Sequence, residues 1–310
     1  MPLFKIDNDN KLEYIKEDKF KFEKDIQTLT EANLESIFEL EFVKTEFSIN
    51  QFRIDTLAFD KETNSFVIIE YKRDKNYSVI DQGYAYLSLM LNNKSDFILE
   101  YNENSEAILK RNDVDWSQSK VIFLSPSFTT YQREAINFKD LPIELWEVKR
   151  FKNKTVSYTQ IKTSGSKESI NTISKQDKTI EEVGKEIKVF TEQEHIDKIE
   201  DGIKEIYKII KESICNFDDN ISINPKKYFI GFQVNKKSFT DIVLLKKGLK
   251  IYLNLKSGEL EDTRKISRDV SNVGHWGNGA YEIQMKDDSE IEYILSLIKQ
   301  ALRKIKEFEP

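Results

Sequence analysis

Cysteine and histidine are scarce in this sequence. Among its 310 residues there is one cysteine, Cys215, and there are two histidines, His195 and His275. A single cysteine excludes a disulfide within the chain and indicates a reducing compartment, so we expect a cytoplasmic protein. These three residues are also too few for a zinc site of the Cys/His type. The composition therefore argues against a disulfide-stapled secreted domain and against a zinc protein.

Long apolar runs are absent as well. No stretch approaches the roughly 18 apolar residues that a membrane-spanning helix needs, and the first residues lack the apolar segment of a signal peptide. The sequence also contains no P-loop, no Ser-His-Asp arrangement and no glycine motif of the dinucleotide-binding kind. We therefore do not expect a carrier that spans a membrane by itself, nor an enzyme of these common classes.

What the chain does contain is enough apolar sequence to fold and a high density of charge. Hydrophobic residues make up 39% and charged residues 33%, with a formal net charge of −6. The length predicts about two domains. The acidic balance argues mildly against a protein that coats nucleic acid, but it is compatible with a nuclease, in which a local groove is basic while the remainder is acidic.

Helix-like and strand-like patterns alternate along the N-terminal half. Thr28 and Glu31 resemble a capping box that opens a helix extending through Phe38. The other predicted elements are strands at 43–49, 52–59 and 66–72, a helix at 79–91, and strands at 121–124 and 143–148. This order predicts the α/β class, with a mixed sheet flanked by helices.

The composition changes after residue 155. Residues 156–190 are polar and rich in Ser, Thr and Lys, which predicts a linker between a domain at 1–155 and a second domain at 191–310. The second domain is predicted to be a smaller α/β (α+β) domain. Its predicted strands lie near 228–234, 241–245 and 249–253, and its last helix at 291–305.

The apolar run at 66–69 continues directly into two charged residues, Glu70 and Lys72. The turn-like residues before this run predict a β-hairpin in which Asp60 pairs with Ser65, so that Asp55 lies opposite Glu70. Opposite Cβ atoms lie about 5 Å apart, and two ionised carboxylates at that separation repel by roughly 3 kcal/mol at an effective dielectric near 20. A bound divalent cation turns this repulsion into attraction, and carboxylate oxygens suit Mg²⁺ or Mn²⁺.

Other polar side chains are predicted to converge on this place. Strand alternation puts Lys72 on the same face as Glu70, where its ammonium can orient or help deprotonate a water and offset phosphate charge. Gln82 and Tyr86 lie four residues apart and share a helix face. Glu35, on the first predicted helix, could supply a third carboxylate.

These residues resemble the PD-(D/E)XK nuclease superfamily. Asp55 is followed by fourteen residues and then by Glu70-x-Lys72, in the order helix, three strands, helix and strand. Gln82-x-x-x-Tyr86 is similar to the motif that follows the lysine in the RecB-like branch. The resemblance covers about residues 20–150, and Ile54 stands where the proline of the family motif would be.

The resemblance implies a restriction-endonuclease-like core and hydrolysis of DNA phosphodiester bonds that depends on Mg²⁺ or Mn²⁺, in restriction, phage defence or repair. It implies that Asp55, Glu70 and the Tyr71 carbonyl hold the metal with support from Glu35, and that Lys72 acts on the water. Gln82 and Tyr86 complete the implied catalytic set.

Three basic residues near the motif, Arg53, Arg73 and Lys75, are candidates for contacts with DNA, although charge runs more often mark a solvated edge. The C-terminal half resembles an uncharacterised domain of proteins labelled "predicted transport protein". Its role is open, including binding of a partner protein. Whether the protein forms a homodimer is also open.

Two other functions stay open beside the nuclease. One is a nuclease-like module without catalysis that binds nucleic acid or a partner protein. The other is an accessory protein of a transport system. The presence of Asp55, Glu70 and Lys72 together favours the enzyme, since a decayed site usually loses one of these residues.

Overall fold

The computed structural model describes residues 2–73, 78–138, 140–162, 168–170, 177–275 and 277–307. The chain divides into two compact units, Met1–Val189 and Phe190–Pro310. Among the described residues, no helix combines the length and the apolar character that crossing a membrane requires.

Unit 1 contains six α-helices, one short 3-10 helix (Trp116–Gln118) and eight strands among its described residues. Its helices are α1 (Glu23–Glu31), α2 (Leu34–Phe38), α3 (Val79–Asn92), α4 (Lys94–Asn104), α5 (Thr130–Ala135) and α6 (Lys178–Glu186). Its strands are β1 (Leu3–Ile6), β2 (Leu12–Ile15), β3 (Glu41–Ile49), β4 (Phe52–Asp60), β5 (Ser65–Tyr71), β6 (Lys120–Ser125), β7 (Ile143–Arg150) and β8 (Val156–Gln160).

Six of these strands form one mixed sheet in the order β3-β4-β5-β6-β7-β8. Strands β3, β4 and β5 form an antiparallel meander, β5, β6 and β7 are parallel, and β8 returns antiparallel to β7. The parallel connections are made through helices, as crossovers of this kind require. This arrangement confirms the predicted fold class of a mixed sheet flanked by helices.

Both faces of the sheet are covered, which explains why β5 is apolar along almost its whole length. Phe66 and Ile68 point to one face and pack in a core with side chains of α3 and α4. Val67, Ile69 and Tyr71 point to the other face, in a core with side chains of α1 and α2. Glu70 interrupts this apolar pattern on the α3 face.

The predicted capping box at Thr28 and Glu31 is wrong. Helix α1 begins earlier, and the Asp25 carboxylate accepts a hydrogen bond from the backbone N–H of Phe22, the residue just before the helix, at 3.1 Å. Thr28 therefore lies inside α1. The Glu31 carboxylate accepts from Thr56 Oγ1 at 2.6 Å, so it serves a contact with the sheet and not a helix start.

The segment predicted to be a linker, 156–190, contains folded parts of unit 1. Strand β8 pairs with β7, and helix α6 packs against α3. Ile180, Val183 and Ile187 are buried in the core of unit 1. These three apolar residues are surrounded in the sequence by many polar residues. The average composition of the segment therefore gave no sign that part of it is buried. Residues 163–167 and 171–176 of this segment lie outside the described residues.

Unit 2 is built on an antiparallel sheet. Its helices are α7 (Glu192–Ile196), α8 (Asp201–Cys215) and α9 (Ile291–Glu307), and its strands are β9 (Ser222–Pro225), β10 (Ile230–Val234), β11 (Lys237–Leu245), β12 (Gly248–Leu253), β13 (Ser267–Asp269) and β14 (Tyr281–Met285). The sheet order is β13-β14-β12-β11-β10-β9. Ile210 of α8 and Leu297 of α9 lie in one core with Ile251 of the sheet. The prediction of a second domain with strands and helices is confirmed.

Candidate functional site

The hairpin of β4 and β5 has the predicted register up to the point where the two carboxylates begin. Asp60 pairs with Ser65, and the ladder continues to the pair Thr56 and Ile69. The backbone pairing ends there, one residue short of Asp55 and Glu70. Beyond this pair, the backbone hydrogen bonds between the two strands stop, and a side chain accepts the next N–H of β5.

The Asp55 carboxylate lies where this pairing ends. Its Oδ2 accepts a hydrogen bond from the backbone N–H of Tyr71 at 3.0 Å. Tyr71 directs its side chain to the other face of the sheet, where its hydroxyl lies 3.1 Å from Thr56 Oγ1. The backbone of Tyr71 therefore fixes one oxygen of Asp55 beside Glu70.

Glu70 is buried, with 3% of its surface exposed, and its two oxygens differ in their contacts. Oε1 accepts from Lys72 Nζ at 2.6 Å and from Gln82 Nε2 at 3.1 Å. Gln82 Nε2 also lies 3.2 Å from Tyr86 Oη. Oε2 is buried and has no hydrogen-bond partner among the described residues. A buried carboxylate oxygen without a donor is costly, so Glu70 is incompletely satisfied by the protein alone.

Both carboxyl groups hold their protons more tightly than usual. Burial raises the pKa of Asp55, against the lowering effects of the Tyr71 N–H and the Lys72 charge. Burial also raises the pKa of Glu70, and the Asp55 charge raises it further, against the lowering effects of Lys72 and of a hydrogen bond from Tyr86. Ionising both groups without a further cation is therefore unfavourable.

A divalent cation fits these donors. Asp55 and Glu70 offer hard oxygen ligands, and the unpartnered Oε2 of Glu70 is the atom that a cation would satisfy. The described residues contain no group of three or more His, Cys, Asp or Glu side chains arranged to hold a metal ion. A cation at this place would therefore complete its coordination with water, substrate oxygens or backbone carbonyls, among which the Tyr71 carbonyl is the predicted ligand.

Glu35 is not brought to this place. It is exposed on α2, and among the described contacts none joins its side chain to Asp55 or Glu70. The predicted helix from Thr28 to Phe38 is instead divided into α1 and α2, and Glu35 lies on α2. Two carboxylates that the sequence reasoning missed lie close enough for their charges to raise the pKa of Asp55, namely Glu46 on β3 and Glu23 at the first residue of α1.

The basic residues proposed for DNA contact have different surroundings. Arg53 is exposed, and its Nε lies 2.9 Å from Glu46 Oε2. Arg73 is also exposed; its backbone N–H donates to Glu23 Oε1 at 2.7 Å, and its guanidinium donates to the Lys21 carbonyl. Lys75 lies outside the described residues.

Comparison with solved structures finds only distant likeness. A repair endonuclease from Pyrococcus abyssi is 20% identical, with a TM-score of 0.28, over 43% of this chain and 49% of that chain. An EndoMS complex with dsDNA is 16% identical, with a TM-score of 0.27, over 42% of this chain and 47% of that chain. The chain thus spans about half the length of these proteins. At such TM-scores, fold and function have to be argued from the geometry of the chain itself.

Comparison of sequences identifies the family of the chain more clearly than comparison of structures does. Residues 192–303 match a domain of unknown function, DUF5655, which covers most of unit 2. An uncharacterized protein of Haemophilus influenzae is 51% identical over 292 residues, which is 94% of this chain and 96% of that protein. The chain therefore belongs to the same family as this Haemophilus influenzae protein.

Proposed function

We propose that this protein is a metal-dependent nuclease of the PD-(D/E)XK kind that hydrolyses phosphodiester bonds of DNA. One observation carries the proposal. Glu70 is buried at the open end of the β4–β5 hairpin beside Asp55, with one oxygen bonded to Lys72 and the other without a partner among the described residues. Two carboxylates and a lysine in this arrangement lower stability when no cation is bound, and they suit phosphoryl chemistry.

Asp55 and Glu70, with the Tyr71 carbonyl, are the proposed holders of Mg²⁺ or Mn²⁺. When bound, such a cation lowers the pKa of a coordinated water and stabilises negative charge on the phosphate. The Tyr71 N–H keeps one Asp55 oxygen in a fixed direction. Gln82 Nε2 fixes Glu70 Oε1, and Tyr86 lies against the same amide.

Lys72 is the proposed group that acts on the attacking water. Its Nζ lies 2.6 Å from Glu70 Oε1, so its ammonium is already at the carboxylate that would hold the cation. From this place it can donate to a water or to a phosphate oxygen, and it offsets the charge that develops on the phosphate. Arg53 and Arg73, which are exposed, and Lys75, which lies outside the described residues, are proposed to contact the DNA backbone.

Cleavage of DNA by the purified protein tests the proposal. Plasmid and single-stranded DNA are incubated with Mg²⁺ or Mn²⁺, with the wild type and with Asp55→Asn and Lys72→Ala. Asp60→Asn is a matched control, because Asp60 is a buried aspartate of the same strand whose carboxylate caps the turn at Glu62 and Thr63.

We expect Asp55→Asn and Lys72→Ala each to lower the cleavage rate by at least about 100-fold, while Asp60→Asn retains it. Cleavage that survives both site substitutions contradicts the proposed site. Wild-type protein that binds DNA or the cation without cleaving supports the inactive module, and protein that binds neither supports the transport-accessory function.

A further inference from the structure

Strand β4 loses its regular backbone pairing on both sides at Asp55. Toward β5 the ladder ends at Thr56. Toward β3 the pairs Thr45–Thr56 and Phe47–Ile54 are present, but Glu46, which the register places opposite Asp55, is not paired. Glu46 has a φ of 50°, in the left-handed region that residues other than glycine seldom adopt. The backbone of β3 thus departs from regular strand geometry at Glu46, the residue that faces Asp55, while the pairs on either side keep one register.

Gln27 of α1 fills the place of the missing rung. Its Nε2 lies 2.8 Å from the Asp55 carbonyl oxygen, which in a regular ladder would accept from β3. The same nitrogen lies 3.1 Å from Thr45 Oγ1 on the other side of the gap. Gln27 is buried, with 4% of its surface exposed. The Gln27 side chain of α1 therefore donates the hydrogen bond that a backbone N–H of β3 would donate to the Asp55 carbonyl in a regular sheet.

The Gln27 amide is itself held in place from two directions. Its Oε1 accepts from Lys24 Nζ at 3.1 Å, and its Nε2 lies 3.0 Å from Glu31 Oε1. Glu31 Oε1 in turn accepts from Thr56 Oγ1 at 2.6 Å. Lys24 and Glu31 fix the orientation of the Gln27 amide. Its hydrogen bond to the Asp55 carbonyl therefore constrains the backbone of β4 at the residue that carries the Asp55 carboxylate.

The hydrogen bond from Gln27 to the Asp55 carbonyl accounts for both the left-handed backbone at Glu46 and the missing pair between Glu46 and Asp55. The left-handed backbone at Glu46 is a conformation that persists only where surrounding contacts over-determine it, and such outliers concentrate at functional sites. Without Gln27, the Asp55 carbonyl would lack this donor in a partly buried setting. With Gln27 present, the Asp55 carbonyl has a donor at the residue from which the Asp55 carboxylate projects.

We propose that Gln27 is a positioning residue, which acts through the Asp55 backbone to hold the Asp55 carboxylate in the direction required for binding a divalent cation with Glu70. This inference rests on the proposed function, since it assigns Gln27 to the same site. Partners that orient a metal ligand typically change metal affinity by about 10- to 100-fold when they are removed. Gln27 does not touch substrate in this account.

Calorimetric titration of metal-free protein with Mn²⁺ at pH 7 tests the inference. The variants are Gln27→Met, which keeps side-chain length and removes the amide, and Gln27→Glu, which keeps the shape and removes the donor. The matched control is Gln132→Met, because Gln132 is also a buried glutamine, 5% exposed, on a helix of unit 1, and its amide serves the capping box of α5. Thermal unfolding of each variant is recorded alongside.

We expect Gln27→Met and Gln27→Glu to weaken Mn²⁺ binding by about 10-fold or more, while Gln132→Met changes it by less than about twofold. If the wild type also cleaves DNA, Gln27→Met lowers kcat and leaves the KM for DNA unchanged. A lower kcat with an unchanged KM indicates that Gln27 positions the Asp55 carboxylate, because a general loss of stability would not separate the two constants in this way.

The outcomes separate this inference from the proposed function. Wild-type affinity for Mn²⁺ in both folded Gln27 variants overturns the inference and leaves the nuclease untouched. Weakened binding in these variants, in a protein that does not cleave DNA, supports the inference and contradicts the nuclease. A wild type that does not bind Mn²⁺ overturns both.

Discussion

At the scale of single residues, the candidate site differs from the rest of the molecule in how well its buried carboxylate is supplied with hydrogen-bond donors. Glu282 in unit 2 is as buried as Glu70, at 1% exposed, but it accepts from Arg268, Lys250, Tyr252 and Gln284. Burial alone would raise the pKa of Glu282, but these donors lower it to about 2. Glu70 has an oxygen without a donor among the described residues, and burial raises its pKa. The protein's own donors thus satisfy both oxygens of Glu282, whereas they satisfy only one oxygen of Glu70 among the described residues.

The two kinds of carboxylate predict opposite effects on stability in metal-free protein with a chelator. We expect Asp55→Asn to raise the unfolding midpoint at pH 7, because the raised pKa of Asp55 means that its ionised form is disfavoured in the folded state. The gain builds as pH rises above the usual aspartate pKa of about 3.9 and disappears below it. Glu282→Gln is expected to destabilise the protein by about 1–3 kcal/mol at pH 7.

The lowered pKa of Glu282 fixes the sign of its own pH dependence. Its contribution is present above the usual glutamate pKa of about 4.3, and it is lost as pH falls toward its folded pKa of about 2. Urea unfolding of the wild type and both variants between pH 3 and pH 8 measures these effects. A destabilising Asp55→Asn at pH 7 contradicts the view that Asp55 is held against its preference.

At the scale of elements, the site depends on how closely α3 approaches the sheet. Gly83 lies next to Gln82, and a Cβ at Gly83 would lie 2.4 Å from Cδ1 and 3.0 Å from Cγ1 of Ile143 on β7. The absence of a side chain lets α3 pack tightly, which brings Gln82 to Glu70. Gly202 on α8 is a suitable contrast, because a Cβ there would meet nothing within 4 Å.

We therefore expect Gly83→Val to destabilise unit 1 by about 1–3 kcal/mol through overpacking. The same change at Gly202 is expected to stay within about 0.5 kcal/mol of the wild type or to stabilise it, since valine is a better helix former than glycine. Urea unfolding measures both. Equal effects of the two substitutions contradict close packing of α3 as the reason for the glycine.

The sequence predicted the elements whose patterns are local and failed where distant contacts decide. The hairpin register follows from a short turn and strand alternation, and it is confirmed from Asp60–Ser65 to Thr56–Ile69, although the predicted pair of Asp55 and Glu70 is not formed. The start of α1 was missed because Thr28 and Glu31 imitate a helix start, while the contact of Glu31 with Thr56 crosses from helix to sheet. Gln27 was missed for the same reason, since nothing local marks it as the partner of Asp55.

At the scale of the whole molecule, the chain joins two units with separate cores. The candidate site lies entirely in unit 1, on β4, β5 and α3, and the DUF5655 match lies entirely in unit 2. The Haemophilus influenzae relative matches 94% of this chain, so both units occur together in that protein. Any chemistry proposed for this family is therefore proposed for unit 1, and the contribution of unit 2 is a separate question.

The most direct test of the account is a crystal of the wild-type protein soaked in Mn²⁺, with anomalous diffraction used to locate the ion. We predict an anomalous peak between the carboxylates of Asp55 and Glu70, about 2.2 Å from an oxygen of each, with Glu70 Oε2 among the ligands. Asp55→Asn crystals are expected to lose the peak. A wild-type crystal without a peak there, or with Mn²⁺ bound only elsewhere, contradicts the central claim that Asp55 and Glu70 form a cation site.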